Sequence, residues 1–225
     1  RNQLGLEKAL IGFCGSPWTV ATYMIEGGSS KDFSRAKSLL TEKPELFHSL
    51  LEKITISTID YLEMQINAGI DVVQIFDSWG GALTKDTFWK GSAQYMNEIV
   101  KAVGDKIPVI IFSKGSHDKI SDLKEIGGNV YGVDSSILIS QFWDDLGGEF
   151  AVQGNLNPDL MSTTPEIVKE ETLKILNEFG ERNGLIFNLG HGIKPDGKIE
   201  CMQALVETII NFNKDSHSTE PTLQQ

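Results

Sequence analysis

Six short apolar segments, each ending in glycine or a small polar residue, constrain this chain more than any other feature. They are rich in Val, Ile and Phe, as is typical of strands covered on both faces. Amphipathic helical patterns separate them along the chain. Strands that alternate with helices form right-handed parallel βαβ units, so an α/β protein is predicted. The segments are residues 9–13, 72–76, 109–112, 130–133, 150–152 and 185–187.

Two architectures fit this alternation, a doubly wound open sheet and a (β/α)8 barrel. No Gly-x-Gly-x-x-Gly opens the first predicted helix, and no Walker A pattern occurs. Polar residues follow every strand instead of clustering at one switch point, which favours the barrel. Six βα units are present where eight are needed. We therefore predict a (β/α)8 TIM barrel, N-terminally incomplete in this chain, with a partial barrel domain at 1–213 and a polar C-terminal tail at 214–225.

Composition excludes several classes of function. The net charge of −11 argues against a nucleic-acid partner, whose phosphates need a basic surface. No apolar run approaches the roughly 20 residues that cross a bilayer, so no membrane association is expected. The two cysteines lack the spacing of a zinc site or a disulfide framework and indicate a reducing cytoplasm. A small-molecule substrate remains as the expected partner.

Arginine is scarce in this sequence. Only Arg1, Arg35 and Arg182 occur, against seventeen lysines. Forked recognition of carboxylates and phosphates usually depends on arginine. A clamp for a ligand with many negative charges is therefore not evident in this chain.

Polar and aromatic side chains near the predicted strand ends are the candidate site residues. Trp18 and Tyr23 come just after the first strand, where such folds place ligand groups, although from its position alone Tyr23 reads more readily as a helix tyrosine packed in the core. Strand alternation predicts that Phe76 and Ser78 share one face and that Asp77 points away. Ser78 lacks the Gly-x-Ser-x-Gly context of a nucleophile, so it either hydrogen-bonds a ligand or forms a turn.

His191 lies between two glycines after the last predicted strand. Such flanking glycines let the backbone approach a ligand and expose the imidazole. Partial protonation near neutral pH would help it to bind a carboxylate. Cys14, His117 and His191 all follow strands, so a metal site is conceivable. Their spacing matches no known ligand pattern, and Cys14 reads better as small core filler, so we expect no metal.

Four segments together resemble the uroporphyrinogen decarboxylase family, in its bacterial form. They are residues 12–30, 76–81 (Phe-Asp-Ser-Trp-Gly-Gly), 153–158 (Gln-Gly-Asn-Leu-Asn-Pro) and 188–192 (Asn-Leu-Gly-His-Gly). The resemblance implies a homodimeric TIM-barrel lyase of porphyrin and haem biosynthesis. Its members remove CO2 from the four acetate arms of uroporphyrinogen III, which carries eight carboxylates, and yield coproporphyrinogen III. They use no cofactor and no metal, because the pyrrole serves as electron sink.

Matching the family's motifs assigns roles to five residues. Tyr23, Ser78 and His191 would contact the substrate, and Phe13 and Phe76 would line an apolar wall, although from its position alone Phe13 reads more readily as core. The family's arginine-rich motif and its pyrrole-binding aspartate have no counterpart here. No residue of this chain is therefore assigned a certain catalytic role, and the chain alone is expected to be inactive.

Two alternatives stay open. One is a zinc-dependent corrinoid or thiol methyltransferase of the same barrel superfamily, which would need metal ligands. The other is a truncated barrel without catalytic function.

Overall fold

Six parallel strands form one sheet in the computed structural model, which describes residues 1–28 and 30–217. Each apolar segment identified in the sequence is one of these strands, so that prediction is confirmed. The strands are β1 (Ile11–Gly15), β2 (Val72–Asp77), β3 (Val109–Ser113), β4 (Val130–Gly132), β5 (Ala151–Leu156) and β6 (Leu185–Leu189).

The order of the strands distinguishes the two predicted architectures. They lie side by side in chain order, from β1 to β6, and each pairs in parallel with the next. A doubly wound sheet reverses direction at a switch point, whereas a barrel adds every strand on the same side. The α/β fold is therefore that of the (β/α)8 barrel, with six βα units in the described part of the chain.

Helices connect the strands and cover one face of the sheet. Along residues 1–28 and 30–217, every helix falls short of the length and apolar character that crossing a bilayer requires. Short 3-10 turns occur at Gly80–Ala82 and Pro158–Ser162, and a π-helical turn at Trp89–Ala93. The α-helices are α1 (Pro17–Glu26), α2 (Ser34–Glu42), α3 (Pro44–Asn67), α4 (Lys85–Phe88), α5 (Gln94–Val103), α6 (Ile120–Ile126), α7 (Ile139–Asp145), α8 (Pro165–Phe179) and α9 (Ile199–His217).

The end of the chain bears on the predicted tail. Helix α9 extends to His217, so the first four residues assigned to a polar tail are helical. Residues 218–225 lie outside the described residues. The division of the chain at residue 213 stays a prediction.

Helix α1 begins directly after the first strand because its cap is encoded locally. The side chain of Ser16 accepts the backbone N–H of Thr19 at 3.0 Å, which satisfies one of the free donors of the first turn. Pro17 follows, with its φ already suited to a helix and no N–H to leave unpaired. Gly27 ends the helix in the left-handed region at φ 79°. The turn from β1 into α1 is thus set by adjacent residues.

The main core lies between the sheet and the helices. Val73, Ile75 and Val152 point outward from the strands and are fully buried there. Trp18 of α1 is also fully buried, and its ring packs against Phe47 of α3 at 6.1 Å. The outward face of the sheet is therefore structural, and the opposite, inner face remains for function.

Candidate functional site

The inner face of the sheet opens into a cavity of about 480 Å³. This volume lies within the range of roughly 300–1,000 Å³ that is usual for small-molecule sites. The cavity reaches the carboxyl ends of the strands, where barrel enzymes hold their ligands. Its lining includes Gln74, Phe76, Ser78, Phe112, Gln153 and His191.

Strand β2 and the residue directly after it supply three of these side chains through simple alternation. Gln74, Phe76 and Ser78 all face the cavity, while Asp77 between them is fully buried on the other side. The predicted alternation is confirmed. The sequence therefore places an amide, an aromatic ring and a hydroxyl along one edge of the cavity.

A row of aromatic rings forms the apolar wall. The ring centroids of Phe13 and Phe76 lie 6.0 Å apart, those of Phe76 and Phe112 5.9 Å, and those of Phe112 and His191 6.3 Å. All three pairs meet edge to face, the geometry that ring quadrupoles favour. Phe76 and Phe112 line the cavity. Phe13 continues the row beyond Phe76, with 58% of its surface exposed and outside the residues that line this cavity, and its role in the wall stays a prediction.

His191 follows β6 and lies at the cavity with Ser78. Its Nδ1 accepts the backbone N–H of Gly192 at 2.7 Å, so the neutral ring carries its proton on Nε2 and has a donor to offer. Partial burial lowers the pKa of His191, and the ammonium of Lys114 lowers it further, while Asp134 opposes this. The neutral form of the imidazole is therefore favoured in the free chain. The partial protonation of His191 that is expected from the sequence would require a bound carboxylate, which favours the imidazolium.

The glycine before His191 has a different role from the one expected. A Cβ at Gly190 would lie 2.5 Å from the backbone nitrogen of Ser135. Gly190 therefore allows the loop after β6 to pack against the loop after β4. The backbone at Gly190 thus approaches a neighbouring loop and not, as expected from the sequence, a ligand. This contact between the two loops holds His191 at the rim of the cavity.

Tyr23 lies beside the cavity but outside its lining. Its ring contacts Trp79 edge to face at 6.2 Å, and 45% of its surface is exposed. Trp18, considered with it from the sequence, belongs to the core and donates its Nε1–H to the backbone carbonyl of Trp79 at 2.9 Å. Tyr23 thus contacts Trp79, the residue after Ser78. Its role as a substrate contact stays a prediction.

Asp77 is the centre of a buried hydrogen-bond cluster that the sequence did not reveal. Its carboxylate accepts from the hydroxyls of Ser16 at 2.6 Å, Ser113 at 2.7 Å and Thr19 at 3.4 Å. Burial raises the pKa of Asp77, and the hydroxyl donors partly offset this. The donors come from the β1–α1 segment and from the end of β3. Asp77 therefore joins three adjacent units behind the cavity and has no access to a ligand.

The conceivable metal ligands do not converge. Cys14 is buried on the outer face of β1, where burial raises its pKa to about 12, whereas His191 lies on the cavity side. Among residues 1–28 and 30–217, no group of three or more His, Cys, Asp or Glu is arranged to hold a metal ion. A zinc site built from Cys14, His117 and His191 is inconsistent with this geometry.

The three arginines are committed elsewhere or lie outside the cavity. Arg1 pairs with Asp71, and Arg182 pairs with Asp144 at 2.9 Å. Arg35 is exposed on α2. Among the described residues that line the cavity there is neither arginine nor lysine, and the polar lining consists of hydroxyl, amide and imidazole groups. The hydrogen-bond donors of the cavity are therefore neutral.

Known proteins resemble this chain in both sequence and structure. Residues 1–212 match the model of the family Uroporphyrinogen decarboxylase (URO-D). Uroporphyrinogen decarboxylases of Ruthia magnifica subsp. Calyptogena magnifica and of Pseudomonas syringae pv. tomato are both 43% identical, over 95% and 96% of this chain. The chain spans 63% of the length of each of these curated relatives.

A solved structure described as a methyltransferase from Methanosarcina mazei superposes with a TM-score of 0.83. It is 20% identical and is matched over 95% of this chain and 61% of its own length, so the likeness concerns the fold alone. The sequence matches carry the assignment: the chain belongs to the uroporphyrinogen decarboxylase family.

Proposed function

We propose that the protein is a carboxy-lyase that converts the four acetate arms of uroporphyrinogen III to methyl groups, in haem biosynthesis. The observation that supports this is the convergence of Phe76, Ser78 and His191 on one cavity. These are three of the five positions that the family resemblance implies. They come from the ends of β2 and β6, which lie more than a hundred residues apart in the chain.

The reaction needs little from the protein beyond orientation and charge stabilisation. Protonation of a pyrrole carbon beside the nitrogen makes the ring cationic. The acetate then loses CO2, its electron pair enters the ring, and protonation of the exocyclic carbon followed by loss of the ring proton gives a methylpyrrole. Each cycle consumes one proton and releases one CO2. Preorganised donors and a shaped surface are the contribution expected of a protein in such a step.

The cavity residues divide these tasks. The rings of Phe76 and Phe112 offer an apolar surface for the macrocycle. The Ser78 hydroxyl and Nε2–H of His191 are neutral donors at the mouth for carboxylate groups. A ligand with eight carboxylates exceeds what these donors neutralise. We therefore propose that this chain binds the tetrapyrrole, and that turnover also needs the part of the longer relatives that it does not match.

An anaerobic assay with uroporphyrinogen III tests this division. We compare the 225-residue chain with a chimera in which the unmatched part of the Ruthia relative is joined to it in the order found in that relative. The chimera is expected to release CO2, and the chain alone to bind without turnover. Turnover by the chain alone would contradict its expected inactivity, and an inactive, folded chimera would contradict the proposed function.

Substitutions in the chimera test the site residues. His191→Ala and Tyr23→Phe are expected to slow decarboxylation, with Tyr61→Phe, an exposed tyrosine on α3, as the matched control. If both variants keep the kinetics of the unsubstituted chimera, the assigned substrate contacts are wrong.

We also propose a homodimer in the cytoplasm. Support for the compartment comes from Cys14 and Cys201, which are both free and buried, as suits a reducing environment. The dimer rests on the family resemblance. Light scattering of the purified protein tests it, and a monomeric mass at micromolar concentration would contradict it.

A further inference from the structure

Two buried glutamines line the deeper part of the cavity. Gln74 lies on β2 and Gln153 on β5, and they are 6% and 4% exposed. Nε2 of Gln153 donates to Oε1 of Gln74 at 3.3 Å. Strands β3 and β4 separate β2 from β5 in the sheet, so the two side chains reach across the inner face to meet. They form a polar bridge beneath the aromatic row.

The bridge leaves hydrogen-bonding groups unused. Each glutamine amide has two N–H donors and a carbonyl oxygen that accepts. Among the described residues, Gln74 and Gln153 make no side-chain hydrogen bond besides the one that joins them. Exchanging the oxygen and nitrogen of both amides reverses that bond but still leaves one NH2 group and one carbonyl free. Neither amide is among the fully buried side-chain atoms that lack a partner, and both residues line the cavity, so these free groups are open to a ligand that enters it.

The bridge is too far from the mouth of the cavity to share a ligand group with Ser78. Gln74 lies on β2 and precedes Ser78, the first residue after that strand, by four residues, which corresponds to about 13 Å at 3.3 Å per residue. One carboxylate cannot contact both. The bridge is therefore a second polar subsite, separated from the first by the ring of Phe76.

The chemistry of this subsite indicates its ligand. It has no cationic side chain, its two glutamines are largely buried, and its free donors are amide N–H groups. Such donors match the oxygen of a carboxyl group without bringing a charge into the site. The acid arms of the tetrapyrrole are polar groups that extend beyond the macrocycle, which would itself lie against Phe76 and Phe112.

We propose that the Gln74–Gln153 bridge is a ligand-contacting subsite, in which an amide N–H donates to the carboxyl group of one acid arm of the tetrapyrrole. This inference rests on the proposed function. It adds a contact made by neutral donors to those expected of Ser78 and His191. It also assigns a role to two residues in the lining that the family motifs did not identify as contacts.

Calorimetric titration of the 225-residue chain with uroporphyrinogen III, under anaerobic conditions, tests the subsite. Gln74→Met keeps the length of the side chain but removes its donors, and it is expected to weaken binding about tenfold at every pH. Gln153→Met, on β5, is also expected to weaken binding. Gln203→Glu, on the exposed side of α9, is the control for added charge and should leave the affinity unchanged.

The pH dependence of Gln74→Glu separates contact from packing. An ionised carboxyl at this position repels the acid arm, so binding at pH 8 is expected to fall by more than in Gln74→Met. Burial raises the pKa of the introduced carboxyl, and its protonated form is again a donor. Relative to the unsubstituted chain at the same pH, affinity is therefore expected to recover between pH 8 and pH 5.5. If Gln74 has only a structural role, Gln74→Glu changes the melting temperature, but its affinity relative to the unsubstituted chain stays the same at every pH.

Each outcome decides one of the two proposals. If neither the unsubstituted chain nor the folded chimera of the activity assay binds uroporphyrinogen III, the proposed function fails and this inference fails with it; if only the chimera binds, the same variants are titrated in the chimera. If that chain binds, and the folded variants at Gln74 and Gln153 bind equally well at every pH, the bridge is internal structure and this inference alone is wrong. Should Gln74→Met fail to fold, Gln153→Met and the pH series of Gln74→Glu give the same decision.

Discussion

The two faces of strand β2 share one backbone but differ in role, because one packs against the helices and the other faces the cavity. Toward the helices it presents Val73, Ile75 and Asp77, all completely buried. Toward the cavity it presents Gln74 and Phe76, and Ser78, directly after the strand, faces the cavity as well. The outer polar group, Asp77, accepts three hydroxyl hydrogen bonds from within the chain, whereas the amide of Gln74 is left with unused donors. A polar residue whose hydrogen bonds are all made within the protein is thus structural, whereas one with unused hydrogen-bond donors can bind a ligand.

The largest expected effect comes from replacing two adjacent residues of β2, one on each face of the sheet, by alanine. Ile75→Ala removes a fully buried side chain and is expected to lower the free energy of unfolding by about 2–5 kcal/mol, with ligand affinity retained in the folded fraction. Phe76→Ala is expected to cost less stability, because that ring is already partly open to the cavity, but to weaken uroporphyrinogen binding. Urea denaturation and calorimetric titration of both variants measure this. A greater stability loss for Phe76→Ala than for Ile75→Ala would reverse the assignment of the faces.

The buried carboxyl on the outer face has a pH signature. Burial raises the pKa of Asp77 in the folded chain. The folded state therefore holds this proton to higher pH than the unfolded state does. The stability contributed by Asp77 is complete below the ordinary aspartate pKa of about 3.9, and is lost as pH rises toward the folded value.

Asp77→Asn mimics the protonated carboxyl and removes this dependence. The stability of the unsubstituted chain relative to the variant is expected to fall as pH rises above about 4, by at most about 1.4 kcal/mol per pH unit. Urea denaturation from pH 4 to pH 8 measures the difference, with Asp60→Asn, exposed on α3, as the control. A relative stability that rises with pH would mean that the three hydroxyl donors outweigh burial.

The fold was predictable from the sequence because its signals are local. Apolar runs of three to five residues identified the strands, and the period of two along β2 placed Ser78 with Phe76 and away from Asp77. The polar residues after every strand favoured the barrel over the doubly wound sheet. The turn into α1 likewise depends on adjacent residues, Ser16 and Pro17.

The remaining features depend on pairs of residues that are distant in the chain. Asp77 meets Ser16 from 61 positions away, and Gln74 meets Gln153 from 79 positions away. Tyr23 depends on the rotation of α1 about its axis, which Trp18 sets by entering the core. One signal was available for Gln74: it is a lone amide inside an apolar strand, two residues before Phe76, so alternation alone directs it to the cavity.

The smallest expected effect concerns His191, on the cavity side of the comparison. Its pKa lies below the ordinary value in the free chain, because of partial burial and Lys114. A bound carboxylate favours the imidazolium, so binding takes up a proton and the affinity for uroporphyrinogen III is expected to rise as pH falls from 8 toward 6. The gain should stay below about fivefold, since ion pairs this exposed contribute about 0.2–1 kcal/mol.

His191→Gln isolates this contribution because the amide keeps a neutral donor but cannot titrate. The variant is expected to bind like the unsubstituted chain at pH 8 and to lose the gain at lower pH, as measured by titration calorimetry in buffers of different ionisation enthalpy. His48→Gln, a histidine outside the cavity that meets the hydroxyl of Tyr95 at 2.5 Å, is the matched control. If His191→Gln keeps the full pH dependence, the proton is taken up elsewhere and the imidazole does not face the ligand's carboxylates. The cavity face would then bind its ligand through fixed neutral donors alone, as the glutamine bridge does.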